Sequence, residues 1–278
     1  MTSTQASRIA FIGGGNMATA IIDGLLAAGR TPADFFVVEP FEATREVSVA
    51  KGIATATEPT DALGDCGIWV LATKPQTLQG ACEAARPFLK PSTVVVSIAA
   101  GMRIETIAGW LGGHGRVVRT MPNTPAKVGL GLTGMFATAG CSVADRTAAD
   151  RVFAASGERM WVATEAMLDP ITAITGSGPG YVFYFMEAME RAAIELGFAP
   201  DEARKLSVAA FRGAAELAKQ DPEPLSTLRE RVTSKGGTTY AALSHMWDAK
   251  VGETITAALH KASERAAEMA EQLAKPAK

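Results

Sequence analysis

Hydrophobic positions in the first half of the chain fall in short unbroken runs, separated by stretches with helical spacing. Residues 8–12 read as a buried strand that runs straight into Gly13-Gly14-Gly15-Asn16-Met17-Ala18. Apolar side chains then recur at Ala20, Ile21, Leu25 and Ala28, as on one face of a helix, and the pattern stops at Gly29. Residues 35–38 make a second apolar run and 42–51 a second helical stretch. Further strand-like runs follow at 68–71, 94–98 and 117–119, with helical segments near 78–85 and 104–111 between them. Strands that are apolar throughout and alternate with helices predict a mostly parallel sheet covered on both faces.

Past residue 130 the rhythm changes. Residues 130–137 and 160–162 read as the last strands, with a helix over 143–155 between them. After Glu165 no strand pattern appears. Residues 181–196, 201–219, 238–247 and 252–273 carry apolar side chains at helical spacing, divided by short breaks containing Gly and Pro. The expected fold class is α/β: a Rossmann-like dinucleotide-binding domain over residues 1–164, then an all-helical domain over 165–278. No internal repeat or low-complexity tract interrupts this order, and residues 275–278 are expected to fray.

Composition narrows the function. The 278 residues are 47% hydrophobic and 20% charged, with a formal net charge of −2, so the chain lacks the basic excess that nucleic-acid binding calls for. Its apolar runs, such as residues 94–100, fall far short of the roughly 20 residues needed to cross a bilayer. The first residues, Met1-Thr2-Ser3-Thr4-Gln5, show neither the charged lead nor the apolar stretch of a signal peptide. Cys66, Cys82 and Cys141 are an odd, scattered set with no metal-like spacing, read as small buried hydrophobes in a reducing cytosol. A cytoplasmic protein is the expectation.

Gly13-x-Gly15-x-x-Ala18 between a strand and a helix is the pattern of a dinucleotide turn. Gly13 permits the tight turn, Gly15 lets a pyrophosphate approach the backbone, and Ala18 keeps helix and strand close. The helix start then faces the phosphates. A plain strand–turn–helix is the alternative. Thr73-Lys74-Pro75 and Ala99-Ala100-Gly101 favour the dinucleotide, because both follow strands at the end where open α/β sheets bind ligands. Glu39, at the end of the second apolar run, suits the ribose hydroxyls of NADH and repels the 2′-phosphate of NADPH, unless it is only a solvated residue before Pro40.

In the helical part, Thr233-Ser234-Lys235-Gly236-Gly237-Thr238-Thr239 precedes an amphipathic helix. Two glycines strip side chains from the loop, and unpaired N–H groups at a helix start make an anion seat, so a substrate carboxylate fits there as well as an ordinary capped turn does. Arg119-Thr120-Met121-Pro122-Asn123-Thr124-Pro125-Ala126 is a polar, Pro-rich loop directly after an apolar strand. Thr175-Gly176-Ser177-Gly178-Pro179-Gly180 breaks one helical pattern and opens another, its glycines pointing to close helix packing before close ligand approach.

Together these segments resemble the pyrroline-5-carboxylate reductase family, over almost the whole chain. The Gly-rich turn, residues 72–76, 119–126 and 174–181 contribute, but residues 232–239 are the most specific match. Lys235 stands where proline is commoner in the family, and Glu39 where a polar or basic residue accompanies NADPH. The resemblance implies reduction of 1-pyrroline-5-carboxylate to L-proline with NADPH or NADH. It implies cofactor contacts from Ile12, Gly13, Gly14, Gly15, Asn16, Met17, Glu39, Ala72, Thr73, Lys74, Pro75, Ala99, Ala100 and Asn123. It also implies a substrate pocket at a dimer interface lined by Ser234, Gly236, Gly237, Thr238 and Thr239. Glu165 and Asp221 match acidic positions near that pocket more loosely. Family members assemble as interleaved dimers and often as pentamers of dimers.

Thr239 is the expected catalytic residue, either giving the imine nitrogen its proton or orienting an already protonated imine. No histidine is needed; His114, His245 and His260 lie outside every motif. A β-hydroxyacid dehydrogenase, or an imine reductase with another substrate, would place a lysine after the domain junction, and residues 174–186 contain none. A nicotinamide sensor without turnover would have no use for the second anion seat.

Overall fold

A computed structural model describes residues 7–274, so the first six residues and the 275–278 tail lie outside it. The strands are β1 (Ile9–Ile12), β2 (Phe35–Val38), β3 (Ala54–Ala56), β4 (Ile68–Leu71), β5 (Val94–Ser97), β6 (Val117–Met121), β7 (Gly131–Ala137) and β8 (Gly157–Trp161). They form one sheet in the order β3-β2-β1-β4-β5-β6-β7-β8. All neighbours are parallel except β6 and β7. The order through β6 is that of a dinucleotide-binding sheet, with its switch point between β1 and β4.

Helices α1 (Asn16–Ala27), α2 (Glu42–Val49), α3 (Pro75–Ala85), α4 (Ile104–Trp110) and α5 (Val143–Phe153) connect the strands. They cover both faces of the sheet. Phe11, Ile21, Phe35, Val70 and Phe153 pack on one side; Ile12, Trp69, Leu78, Met102 and Ile107 pack on the other. Each such side chain contributes about 1.5–3 kcal/mol by leaving water. Trp69 is the largest fully buried residue, and its indole N–H finds the Leu63 carbonyl at 3.0 Å.

The second half contains α6 (Leu168–Ile171), a π-helical turn (Thr172–Gly176), α7 (Gly178–Glu195), α8 (Pro200–Gln220), α9 (Leu225–Arg231), α10 (Thr238–Asp248) and α11 (Val251–Ala274). The chain divides into two compact units. One holds the described residues up to Gly176 and those from Ala262 onward; the other is Ser177–Lys261. The end of α11 therefore packs on the sheet unit, where Ala266 and Ala270 are buried. Within the helical unit, α7 and α8 are joined by a hydrogen bond from Ser207 Oγ to the Met186 carbonyl at 2.8 Å.

Three details differ from the sequence expectation. β3 is a three-residue edge strand too short and too mixed to show a pattern, held by pairing with β2 and by Glu39 N–H on the Ala56 carbonyl at 2.9 Å. β8 begins at Gly157, three residues earlier than its apolar run suggests. It can do so because Gly157 adopts φ 132°, where a Cβ would lie 2.0 Å from the Gly131 carbonyl oxygen. Helix α9 is short and largely exposed, which leaves little periodicity to read.

Candidate functional site

Every residue expected to hold the cofactor lies in the sheet unit, on β1 or on segments that leave the carboxyl ends of β1, β2, β4, β5 and β6. Gly13 has φ 103°, and a Cβ there would stand 2.7 Å from the Ala72 carbonyl oxygen and 2.9 Å from the Thr73 nitrogen. Only glycine lets the two strand ends come this close. Gly13 N–H is in turn held by the Val38 carbonyl at 2.8 Å. At Gly15 a Cβ would meet nothing within 4 Å, so space is open in front of the turn. Gly15 is the N-cap of α1 and no side chain caps the helix, leaving first-turn N–H groups available to an anion. Asn16 is exposed and Met17 half-buried against the core.

Beside this turn, Thr73 Oγ1 is buried without a hydrogen-bond partner among the described residues. Lys74 and Pro75 start α3, which also has no side-chain cap. Ala99 is buried and Ala100 half-buried after β5, with Ala99 N–H on Ser97 Oγ at 3.3 Å. An open glycine turn, uncapped helix starts and an orphan hydroxyl fit a phosphate- and ribose-bearing group.

Glu39 is 6% exposed and not the solvated side chain that the alternative reading allows. Its Oε2 accepts from Gly14 N–H at 2.8 Å and its Oε1 from Phe41 N–H at 3.0 Å. The carboxylate thus braces the glycine turn from β2 while placing a negative charge against it. Asn123 is also committed: Nδ2 donates to the Thr175 carbonyl and Oδ1 accepts from Leu132 N–H, both at 2.9 Å. Its side chain ties the loop after β6 to the π-helical turn.

The substrate-type loop lies in the helical unit. Gly236 takes φ 75°, and Gly237 N–H returns to the Ser234 carbonyl at 3.0 Å. Gly237 is the N-cap of α10, again without a side-chain cap. A Cβ on Gly237 would stand 2.7 Å from Ser234 Oγ, so this glycine lets the serine hydroxyl fold over the helix start. Ser234 and Thr238 are exposed and Thr239 is half-buried. Asp221, also in this unit, is paired with Arg231 at 2.6 Å.

Glu165 belongs to the sheet unit, where its Oε1 meets Arg119 Nη1 at 3.0 Å and Ile104 N–H at 2.9 Å. Sequence reading missed the rest of this cluster. An aspartate inside the apolar run Leu168-Asp169-Pro170-Ile171 was its one available signal, since a buried carboxylate requires a partner. Burial pushes the Cys66 thiol up to about 11 and the Cys82 thiol up to about 12, so neither offers a thiolate at neutral pH.

A sheet of this order, with a glycine turn at its switch point, defines a Rossmann-type dinucleotide-binding protein; the helical unit adds a helix start, that of α10, with no side-chain cap. Residues 165–269 match the family described as pyrroline-5-carboxylate reductase dimerisation, and residues 8–101 match NADP oxidoreductase, coenzyme F420-dependent. The chain is 39% identical over 267 residues to a pyrroline-5-carboxylate reductase of Pseudomonas aeruginosa, covering 96% of this chain and 98% of that protein. Among solved structures, it resembles the Coxiella burnetii pyrroline-5-carboxylate reductase with a TM-score of 0.89 and 35% identity, covering 95% and 99% of the two chains. It also resembles the Plasmodium falciparum pyrroline carboxylate reductase with NADP bound, with a TM-score of 0.84 and 25% identity, covering 95% and 98%. The chain belongs to the pyrroline-5-carboxylate reductase family.

The double engagement of Glu39 makes a specific prediction. Glu39→Gln keeps the shape but turns an amide N–H toward one of two backbone donors, so NADH binding weakens. Removing the charge also shifts the kcat/KM ratio toward NADPH, more at low salt than at high salt because exposed phosphate charge is screened. Steady-state kinetics with both cofactors at two ionic strengths checks this; an unchanged ratio would show that the Glu39 charge does not reach the 2′-position.

Proposed function

We propose that this protein reduces 1-pyrroline-5-carboxylate to L-proline with NADPH or NADH. The observation that carries the reading is the uncapped start of α10 beneath Ser234 and Gly237, inside the segment that matches the family's own domain. When bound, the reduced nicotinamide supplies hydride to the imine carbon. The chain's part is to bind and orient. The turn at 12–17, with Glu39, residues 72–75 and Ala99 and Ala100, holds the dinucleotide. Asn123 acts through its links to Thr175 and Leu132.

Gly236 sets the turn that lets the N–H groups of Gly237 and Thr238, with the Ser234 hydroxyl, take the substrate carboxylate. A helix start favours that charge by about 0.3–1 kcal/mol before any hydrogen bond is counted. The Thr239 hydroxyl then serves the ring nitrogen, whose electron density rises as hydride arrives, so a donor there is worth more in the transition state than in the ground state.

The reading includes self-association. Within one protomer α7 buries no residue, and Phe183, Tyr184, Leu196, Leu217 and Leu225 are 64–80% exposed. So much apolar surface on one unit calls for a partner face. We assign it to a second copy, with assembly to a pentamer of dimers as the larger form, working in the cytoplasm. Sedimentation should show a dimer or a multiple of it at assay concentration; an active monomer would overturn the assignment.

Thr239→Val keeps the β-branched shape and removes the hydroxyl. Its kcat should fall by a factor on the order of 10²–10⁴, the usual scale of a proton-transfer partner. Ser234→Ala should instead raise KM for the imine, because its contact exists before and during hydride transfer. Steady-state kinetics on both folded variants is the test, and wild-type constants for Thr239→Val would remove the hydroxyl from the mechanism.

A further inference from the structure

Four charged side chains converge beyond the carboxyl ends of β5 and β6. Arg119 on β6 is 2% exposed; its Nη1 lies 3.0 Å from Glu165 Oε1 and its Nη2 3.4 Å from Asp169 Oδ1. Arg103 Nη2 lies 2.6 Å from Asp169 Oδ2, and Ile104 N–H, the first of α4, donates to Glu165 Oε1 at 2.9 Å. Two cations and two carboxylates cancel in charge. Arg119 and Asp169 are buried, and burying a charged pair is costly enough that well-packed apolar side chains at the same places would often serve stability as well or better. What the network adds is a fixed geometry.

The part it fixes is the loop 99–103 between β5 and α4. The near end of that loop is pinned by Ala99 N–H on Ser97 Oγ, and Thr120 Oγ1 holds the Ser97 carbonyl at 2.9 Å. Its middle is pressed by α11: Gly101 takes φ 75°, and a Cβ there would stand 3.1 Å from Leu273 Cδ1. At its far end Met102 and Ile104 bury their side chains in the core and Ile107 N–H takes the Arg103 carbonyl, while the Arg103 guanidinium and the Ile104 N–H are held by the two acids from the segment after β8. In a sheet of this order the adenosine half of a dinucleotide lies on the β2 side of the glycine turn, where Glu39 stands. The other half extends over β4 and β5, toward this loop.

The geometry points to Arg119, Glu165 and Asp169 as positioning residues that hold loop 99–103 in the shape that receives the nicotinamide half of the cofactor. Glu165 is thereby assigned to the loop and not to the substrate. The inference rests on the dinucleotide reading of the sheet unit, though not on the identity of the imine.

Two variants keep the test open if one fails to fold. Asp169→Asn is nearly isosteric and removes a charge; Arg119→Lys keeps the charge but loses the fork that reaches both carboxylates. Three readouts are taken on the full-length protein: hydrogen exchange of amides 99–104 without cofactor, NADH affinity by fluorescence, and kinetics with 1-pyrroline-5-carboxylate. Exchange at 99–104 should quicken in both variants, NADH affinity should fall, and kcat should drop roughly ten- to a hundredfold, the scale of a small misplacement away from the chemistry. KM for the imine should stay near the wild-type value. Variants that melt earlier but keep wild-type exchange at 99–104 and wild-type NADH affinity would reduce the network to a stabilising element and overturn the inference. Inactivity of the wild-type protein toward the imine would strike the substrate assignment alone, because the exchange and affinity readouts do not involve it.

Discussion

The cofactor end of this protein depends on how closely the end of β4 approaches the turn after β1. At Gly13 the Ala72 carbonyl occupies the space any side chain would need. That contact brings Thr73, whose hydroxyl has no partner among the described residues, beside the glycine turn and leaves open the space in front of Gly15. The same turn is held on its other flank by β2, through the Val38 carbonyl and the Glu39 carboxylate. A pyrophosphate site built from backbone must be rigid before ligand arrives, because N–H groups that have to reorganise lose their advantage over water. The three strands supply that rigidity.

Polar groups are spent in the same manner elsewhere around the site. Asn123, Glu165 and Asp169 are hydrogen-bonded or ion-paired within the sheet unit, tying loops after β5 and β6 to the segment that leads into α7. Asp145 does similar work farther off. It closes a capping box with Ser142 at the start of α5 and pairs with Arg116. Burial pushes its carboxyl up, but Arg116 and Ser142 outweigh that and hold it below the ordinary carboxylate range. These residues shape backbone.

Much of this was legible in the sequence because the relevant signals are local. A strand, three glycines and a helix within twenty residues announce the turn, and Ser234 with two glycines before α10 marks the loop and helix start on which the proposed carboxylate seat rests. The direction of the Glu39 carboxylate was not legible, since its partner Gly14 is 25 residues away and reached only through the pairing of β1 with β2. Asp169 finds Arg103 across 66 residues. The return of α11 to the sheet unit leaves no mark either, because its helical spacing continues unbroken through Ala262. Distance along the chain, more than chemistry, separates what could be read from what could not.

The proposed reaction is hydride transfer to a cyclic imine, by a chain that contributes a backbone cradle, a carboxylate seat that includes the Ser234 hydroxyl, and the Thr239 hydroxyl. The most direct test supplies purified protein with 1-pyrroline-5-carboxylate and NADH or NADPH carrying deuterium at both nicotinamide C4 positions, and follows the product by NMR. The account predicts L-proline labelled at the ring carbon that had been double-bonded to nitrogen, formed in step with cofactor oxidation. Cofactor oxidation without labelled proline, or no turnover with either cofactor, would contradict it.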